Sequence, residues 1–266
     1  MKMVCSSAVI GLLLLFTACG GGDSSGGTNP NNTQLTSGNW GIEATSQVLP
    51  SNGTAYIGGN INHSGTSITG VMHIFNSSCF DFGTNIYFSG TSNGNSINFT
   101  SAPMDGQVVS VTATASGSKS LSGTYSIAGG CSAGDHGTIS GTFVPSISGT
   151  WKATETVGSQ TLTTTATVTQ QATADQWGTF PLSGSITFAG PTTCFTGGTI
   201  NVVNSFIAGD LVAVLGDMTV PGGGSGQLYY VGFLNNPAAP TQIVGMYDTE
   251  STACSLSGVD LTFMKQ

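Results

Sequence analysis

Two aspartates and a histidine stand where they could do chemistry. Asp81 lies just after Cys79, and Asp135 and His136 lie just after Cys131. A disulfide between these cysteines would hold their Cα atoms about 5.5 Å apart. It would gather two carboxylates and an imidazole on one rim. Such a trio can hold a divalent cation or share acid and base roles in a hydrolysis. The competing explanation is turn chemistry, because Asp135 follows Ala133-Gly134 and aspartate is favoured in turns without any function. The second half of the chain has Thr196 and Gly258 where Asp81 and Asp135 align, so a site of this kind would belong to the first half alone.

Other motifs match in letters and fail in context. Gly90-Thr91-Ser92-Asn93-Gly94 has the spacing of a nucleophile elbow, which needs a strand, a sharp turn and a helix; here it falls in a Gly/Ser-rich hairpin. Ser116-Gly117-Ser118-Lys119 has the Ser-x-x-Lys spacing, but its residues read as a glycine-flanked turn, not as one helix face. His63 and His73 fall on neighbouring strands. With Ser64-Gly65 as the turn, His63 pairs with Thr66 and His73 lies opposite Tyr56, too far apart to share a metal. The threonine rows at 161–169 read as a solvated β surface. No catalytic residue, metal ligand or cofactor is therefore assigned, and the trio at Asp81, Asp135 and His136 stands as the possible metal or acid–base site.

Six cysteines divide by position. Cys5 belongs to the leader and Cys19 closes it. The remaining four allow three pairings, and the internal repeat described next selects Cys79–Cys131 with Cys194–Cys254, because equivalent positions should pair equivalently. A zinc site lacks a Cys-x-x-Cys spacing and paired histidines. A nucleophilic cysteine lacks a basic neighbour in sequence.

The elements that would carry these residues repeat once. Gly38-Asn39-Trp40 recurs as Gly149-Thr150-Trp151, Cys79-Phe80 as Cys194-Phe195, Gly123-Thr124-Tyr125 before Cys131 as Gly245-Met246-Tyr247 before Cys254, and Thr142-Phe143 as Thr262-Phe263. Within each copy apolar and polar residues alternate. Val109, Val111, Ala113 and Ala115 interleave with Ser110, Thr112 and Thr114, and Ile57, Gly59 and Ile61 with Gly58, Asn60 and Asn62. Period two with one wet face means antiparallel strands. The sequence predicts an all-β chain of two tandem antiparallel domains, residues 38–146 and 147–266, of about eight strands each, as up-and-down barrels or sandwiches. No substantial helix is expected after the leader. The run Leu211-Val212-Ala213-Val214-Leu215 is apolar on both faces, as for a covered strand at a domain contact. The Gly-x-Trp openings and Ser122-Gly123-Thr124-Tyr125 loosely resemble calycins, the lipocalin and avidin superfamily. That resemblance implies a tryptophan closing one barrel end; the residues alone read it equally as a core anchor. Calycins of the lipocalin type pack an arginine on that tryptophan, and this chain has no arginine.

Charge narrows the function. Charged residues are 6% of the chain, against about 25% in typical soluble domains. Beyond Lys2 only Lys119, Lys152 and Lys265 stand against twelve acids, leaving a net charge of −9. That excludes the basic footprint of a nucleic-acid binder, a patch for anionic lipid and the clamps of phosphate-handling enzymes.

The leader completes the reading. Lys2, the apolar run at 8–16 and Leu15-Phe16-Thr17-Ala18-Cys19 have the layout of an export signal. The ending resembles the lipobox of bacterial lipoproteins, which implies cleavage after residue 18 and a lipid on Cys19 that holds the protein to a membrane. Gly20 rather than aspartate follows, which points to the outer membrane, facing the periplasm or the surface. Residues 19–37 read as the lipidated cysteine and a Gly/Ser/Asn tether with a mean span of roughly 25 Å. The expected role is a non-catalytic binding or envelope structural module, adhesive or ligand-holding. Its partner would be a neutral or apolar small molecule or an envelope component. The alternative is a hydrolase or metal-binding protein at Asp81, Asp135 and His136.

Overall fold

The computed structural model describes residues 33–48, 54–77, 79–157, 160–189, 198–219, 225–250 and 256–266. The leader, Cys19 and the predicted Cys194–Cys254 bridge lie outside them.

Eight strands follow one another in the first half: β1 Gly38–Ser46, β2 Thr54–Ser64, β3 Ser67–Ile74, β4 Thr84–Asn93, β5 Ser96–Ser101, β6 Val108–Ala115, β7 Ser120–Ala128 and β8 His136–Phe143. Each pairs antiparallel with the next, and β8 returns to β1 from Trp40↔Phe143 to Ser46↔Gly137, which closes the sheet. The second half repeats the plan with β9 Gly149–Val157, β10 Gln160–Gln170, β11 Phe180–Ala189, β12 Gly198–Ala208, β13 Leu211–Thr219, β14 Ser225–Leu234, β15 Gln242–Glu250 and β16 Leu256–Lys265. There the seam pairs Met264↔Lys152 and Lys265↔Trp151. Both halves are closed up-and-down barrels, which decides between barrel and sandwich. Alternation sets the faces: on β5, Ile97 and Phe99 point in while Ser96, Asn98 and Thr100 point out. On β14 and β15 the outward face is more apolar, with Tyr229, Val231, Phe233, Val244 and Met246 exposed.

The repeat holds at atomic detail. Trp40 and Trp151 are fully buried, and each indole Nε1–H donates to the carbonyl four residues upstream, Thr36 at 2.8 Å and Ile147 at 2.9 Å. Gly38 and Gly149 precede them at φ +138° and +137°, a conformation that L side chains rarely adopt, so the Gly-x-Trp spacing is a backbone requirement. Lys265 Nζ lies 5.4 Å from the Trp151 ring centroid. In the first barrel Lys119 sits over Phe143, whose edge meets Trp40.

One expected register is corrected. The β2–β3 turn is Gly65-Thr66, so His63 pairs with Ile68 and His73 with Gly58. The two-residue loop needs φ > 0, and Gly65 supplies it at +61°.

The barrels meet through backbone. Gly58 on β2 faces the turn between β12 and β13 so closely that a Cβ there would lie 2.2 Å from the Ala208 carbonyl oxygen. Asn39 completes the contact: its Nδ2 donates to the Gly209 carbonyl at 2.9 Å and its Oδ1 accepts the Gly209 N–H at 2.7 Å. Leu211 and Val212, which open the doubly apolar strand, are buried beside this turn. A second contact comes from the β10–β11 segment. Buried His73 places one ring nitrogen 2.7 Å from the Trp177 carbonyl and the other 3.0 Å from that of Gly83.

Two outcomes are expected. Asn39→Ala leaves the Gly209 N–H and C=O unpaired in a buried contact and should lower stability by about 1–3 kcal/mol in a denaturant titration. Asp210, beside the same turn, has its carboxyl raised by burial, with the Glu43 charge adding to the effect. The folded state then holds this proton to higher pH than the unfolded chain, so stability is lost as pH rises through the raised value. Asp210→Asn should raise the unfolding midpoint at neutral pH, and the gain should vanish in acid.

Candidate functional site

The two ends of the first barrel differ. At one end Trp40, Ile61, Ile68, Ile97, Leu121 and Phe143 fill the interior, and the segment before β1 crosses it with Leu35 buried. His63 anchors that segment. Its Nδ1 accepts the Leu35 N–H at 2.8 Å, and its Nε2 lies 2.7 Å from Ser92 Oγ. Nδ1 spends its lone pair on Leu35, so Nε2 carries the hydrogen and donates to the serine. Burial lowers the His63 pKa, in keeping with a neutral ring. The serine of this pair is that of the Gly-x-Ser-x-Gly motif, yet the pair is arranged backwards for catalysis, since the nitrogen facing the hydroxyl cannot take its proton. Both residues are buried and serve the plug.

At the other end the interior is not filled. A cavity of about 100 Å³ lies among inward residues at the ends of β1, β3, β5 and β7 and the starts of β2, β4 and β6. Its wall is hydrocarbon and aromatic, with Ile42, Ile57, Met72, Phe88, Phe99 and Val111 among the lining. The β3–β4 segment folds over it. Phe80 is buried against Ile74 and Ile86 with Ile57, Met104 and Ile127 around it. Cys79, next to Phe80, bonds Cys131 of the β7–β8 segment at a Cα–Cα distance of 5.6 Å. These segments leave opposite sides of the barrel, so the bridge ties the mouth across its width. Closing a loop with a separation of 52 residues contributes on the order of 4 kcal/mol through the unfolded chain.

The predicted trio separates. Asp81 is exposed, and its carbonyl accepts Thr84 N–H and Oγ1–H at 3.0 and 2.8 Å, which is a turn. His136 is exposed, with Nδ1 3.1 Å from the Gly134 carbonyl. Among the described residues no three His, Cys, Asp or Glu side chains lie close enough to share an ion. The shared metal or acid–base site is corrected accordingly: the disulfide brings the two segments together, but Asp81 and His136 point to solvent. Asp135 alone belongs to the cavity, and its carboxylate does not serve the turn. Oδ1 accepts Ser46 Oγ–H at 2.6 Å and Oδ2 accepts the Tyr125 hydroxyl at 3.1 Å. Asp135 is half-buried, so its carboxylate stands between cavity and solvent. Burial, and then the Asp135 charge and hydrogen bond, push the Tyr125 phenol up to about 12.

Sequence reasoning missed Ser46, Tyr125 and Phe80 as parts of one site. Tyr125 and Phe80 were visible as repeat landmarks, but which strands they share an interior with follows only from closure. The second barrel shows the same phenol–carboxylate pairing from another strand: Tyr247 donates to Glu155 at 3.3 Å, and its phenol is likewise pushed up to about 12, first by burial and then by Glu155. Its cavity is about 30 Å³. The difference has a local cause. Val111 pairs with Tyr125 in the first barrel, and Tyr230 pairs with Tyr247 in the second. Tyr230 fills the interior, edge-on to Phe263, with its hydroxyl donating to the Ile243 and Leu261 carbonyls.

Comparison with known protein families and with curated proteins returns no match.

A phenol ionises near 10 in the unfolded chain and near 12 at Tyr125. Between those values the unfolded state releases a proton that the folded state keeps, so stability falls as pH rises. Tyr125→Phe should flatten that alkaline fall. In a phenolate absorbance titration it should also remove a component near pH 12, leaving that of Tyr247.

Proposed function

We propose that the chain is an exported, lipid-anchored binding protein whose first barrel takes a compact apolar small molecule. In this reading Cys19 carries the lipid, the residues between it and the Leu35 plug tether the barrels clear of an outer membrane, and the work is binding rather than catalysis. The observation that carries it is the cavity of about 100 Å³ under the disulfide-tied mouth of the first barrel. An apolar cavity of about 150 Å³ is enough to hold benzene, so a single ring or short branched hydrocarbon suits this one once Phe80 shifts slightly. The acidic chain disfavours an anion. The filled second barrel acts as scaffold and spacer.

Val111→Tyr copies Tyr230 into the first barrel and should fill the cavity without opening the sheet. Native mass spectrometry of the exported, unreduced protein titrated with toluene provides the test. Bound mass on the wild-type protein and none on Val111→Tyr supports the reading. Equal behaviour of the two, bound or unbound, removes it.

A further inference from the structure

We propose that the ligand of this cavity is a compact apolar amine whose cationic head rests on Asp135. The inference deepens the binding reading above and depends on it.

Asp135 is the one carboxylate among the described lining residues, and no lysine, arginine or histidine lines the cavity with it. Its bonding partners are two neutral hydroxyls, those of Ser46 and Tyr125. A carboxylate offers about four lone-pair sites, so one hydrogen bond on each oxygen leaves room for a further donor. The chain itself has few cations to give. It lacks arginine entirely; Lys119 sits at the plugged end over Phe143, and Lys152 and Lys265 lie on β9 and β16 of the other barrel. The protein thus presents an uncompensated negative charge at the edge of a hydrocarbon-walled space. In that setting a charge-assisted bond is stronger than a neutral one, and an anion is repelled.

The surroundings favour the same ligand. Phe88 and Phe99 lie with ring centroids 4.8 Å apart in the wall, and aromatic faces attract an ammonium group as well as a ring. The Tyr125 phenol, kept protonated by its raised pKa, is a donor that orients the carboxylate without competing for an incoming cation. The acidic surface adds long-range attraction for a cation. A neutral alcohol would gain the apolar walls and a hydrogen bond to the carboxylate, but not the attraction between opposite charges.

The test compares benzylamine, benzyl alcohol and benzoate by calorimetric titration against the unreduced protein at neutral pH and low salt. Benzylamine should bind about tenfold or more tighter than benzyl alcohol, since both donate to the carboxylate but only the ammonium adds the attraction of opposite charges in a poorly solvated site, and benzoate should be weakest. In Asp135→Asn the amine should lose its advantage over the alcohol, while the alcohol, for which the Asn side-chain oxygen still accepts, should still bind and so report that the cavity is intact. Equal binding of amine and alcohol to the wild-type protein overturns the amine while leaving the cavity reading in place. So does an amine preference that survives Asp135→Asn. Binding of none of the three overturns both. The wild-type comparison needs no variant, so it stands even if Asp135→Asn folds poorly.

Discussion

An eight-stranded antiparallel sheet that closes on itself has an interior of nearly set width, and the inward side chains must either fill it or leave it hollow. Everything specific about this protein follows from how that one volume is shared out. Closure pairs the last strand with the first, over seven positions between β8 and β1 and at Met264↔Lys152 and Lys265↔Trp151 in the second barrel, and an edge strand is thereby paired instead of left open. What remains is a choice of side-chain size at each inward position. At one such position the first barrel has Val111 and the second has Tyr230, each beside the tyrosine of its repeat. The smaller residue leaves about 100 Å³ and the larger about 30 Å³. Two copies of one plan thus differ in how much of the interior their side chains fill.

Electrostatics follows the same division. A chain with this little positive charge cannot neutralise its carboxylates by ion pairing, so neutral donors hold them, hydroxyls at the two barrel interiors and N–H groups at Asp175, Asp217 and Asp248. Tyr125 and Ser46 hold Asp135, and Tyr247 holds Glu155. The tyrosine is placed by the repeat, while the carboxylate comes from the segment leading into β8 in one barrel and from β9 in the other. The common physical need is a phenol that finds an acceptor at the inner edge of a barrel. Which strand supplies the acceptor is free to vary, so an alignment of Asp135 with Gly258 says nothing about Glu155.

The joint between the barrels uses the opposite strategy, backbone against backbone. Gly58 lets the turn at Gly209 approach to a distance that a side chain would forbid, and Asn39 binds that turn with both ends of its amide. Trp177 reaches back to His73 from a separate segment. The two polar anchors come from different strands, Asn39 on β1 and His73 on β3.

Some of this was legible in the residues. Period-two alternation, the repeated Gly-x-Trp and the turn clusters determined an all-β chain in two like halves. The Cys79–Cys131 bridge followed from the repeat, because equivalent positions pair equivalently. These are local or repeated features, and their physics acts within a few residues. Barrel rather than sandwich was not legible, since strands of either look alike until β1 finds β8. Nor was the site: Asp81, Asp135 and His136 are close along the chain to one disulfide, but a side chain's direction depends on the strand that carries it. Tertiary structure alone decided that Asp135 turns inward to Ser46, far away in sequence, while Asp81 and His136 face water. Only closure brings inward positions from eight strands around one space, so only closure could decide which of them share it.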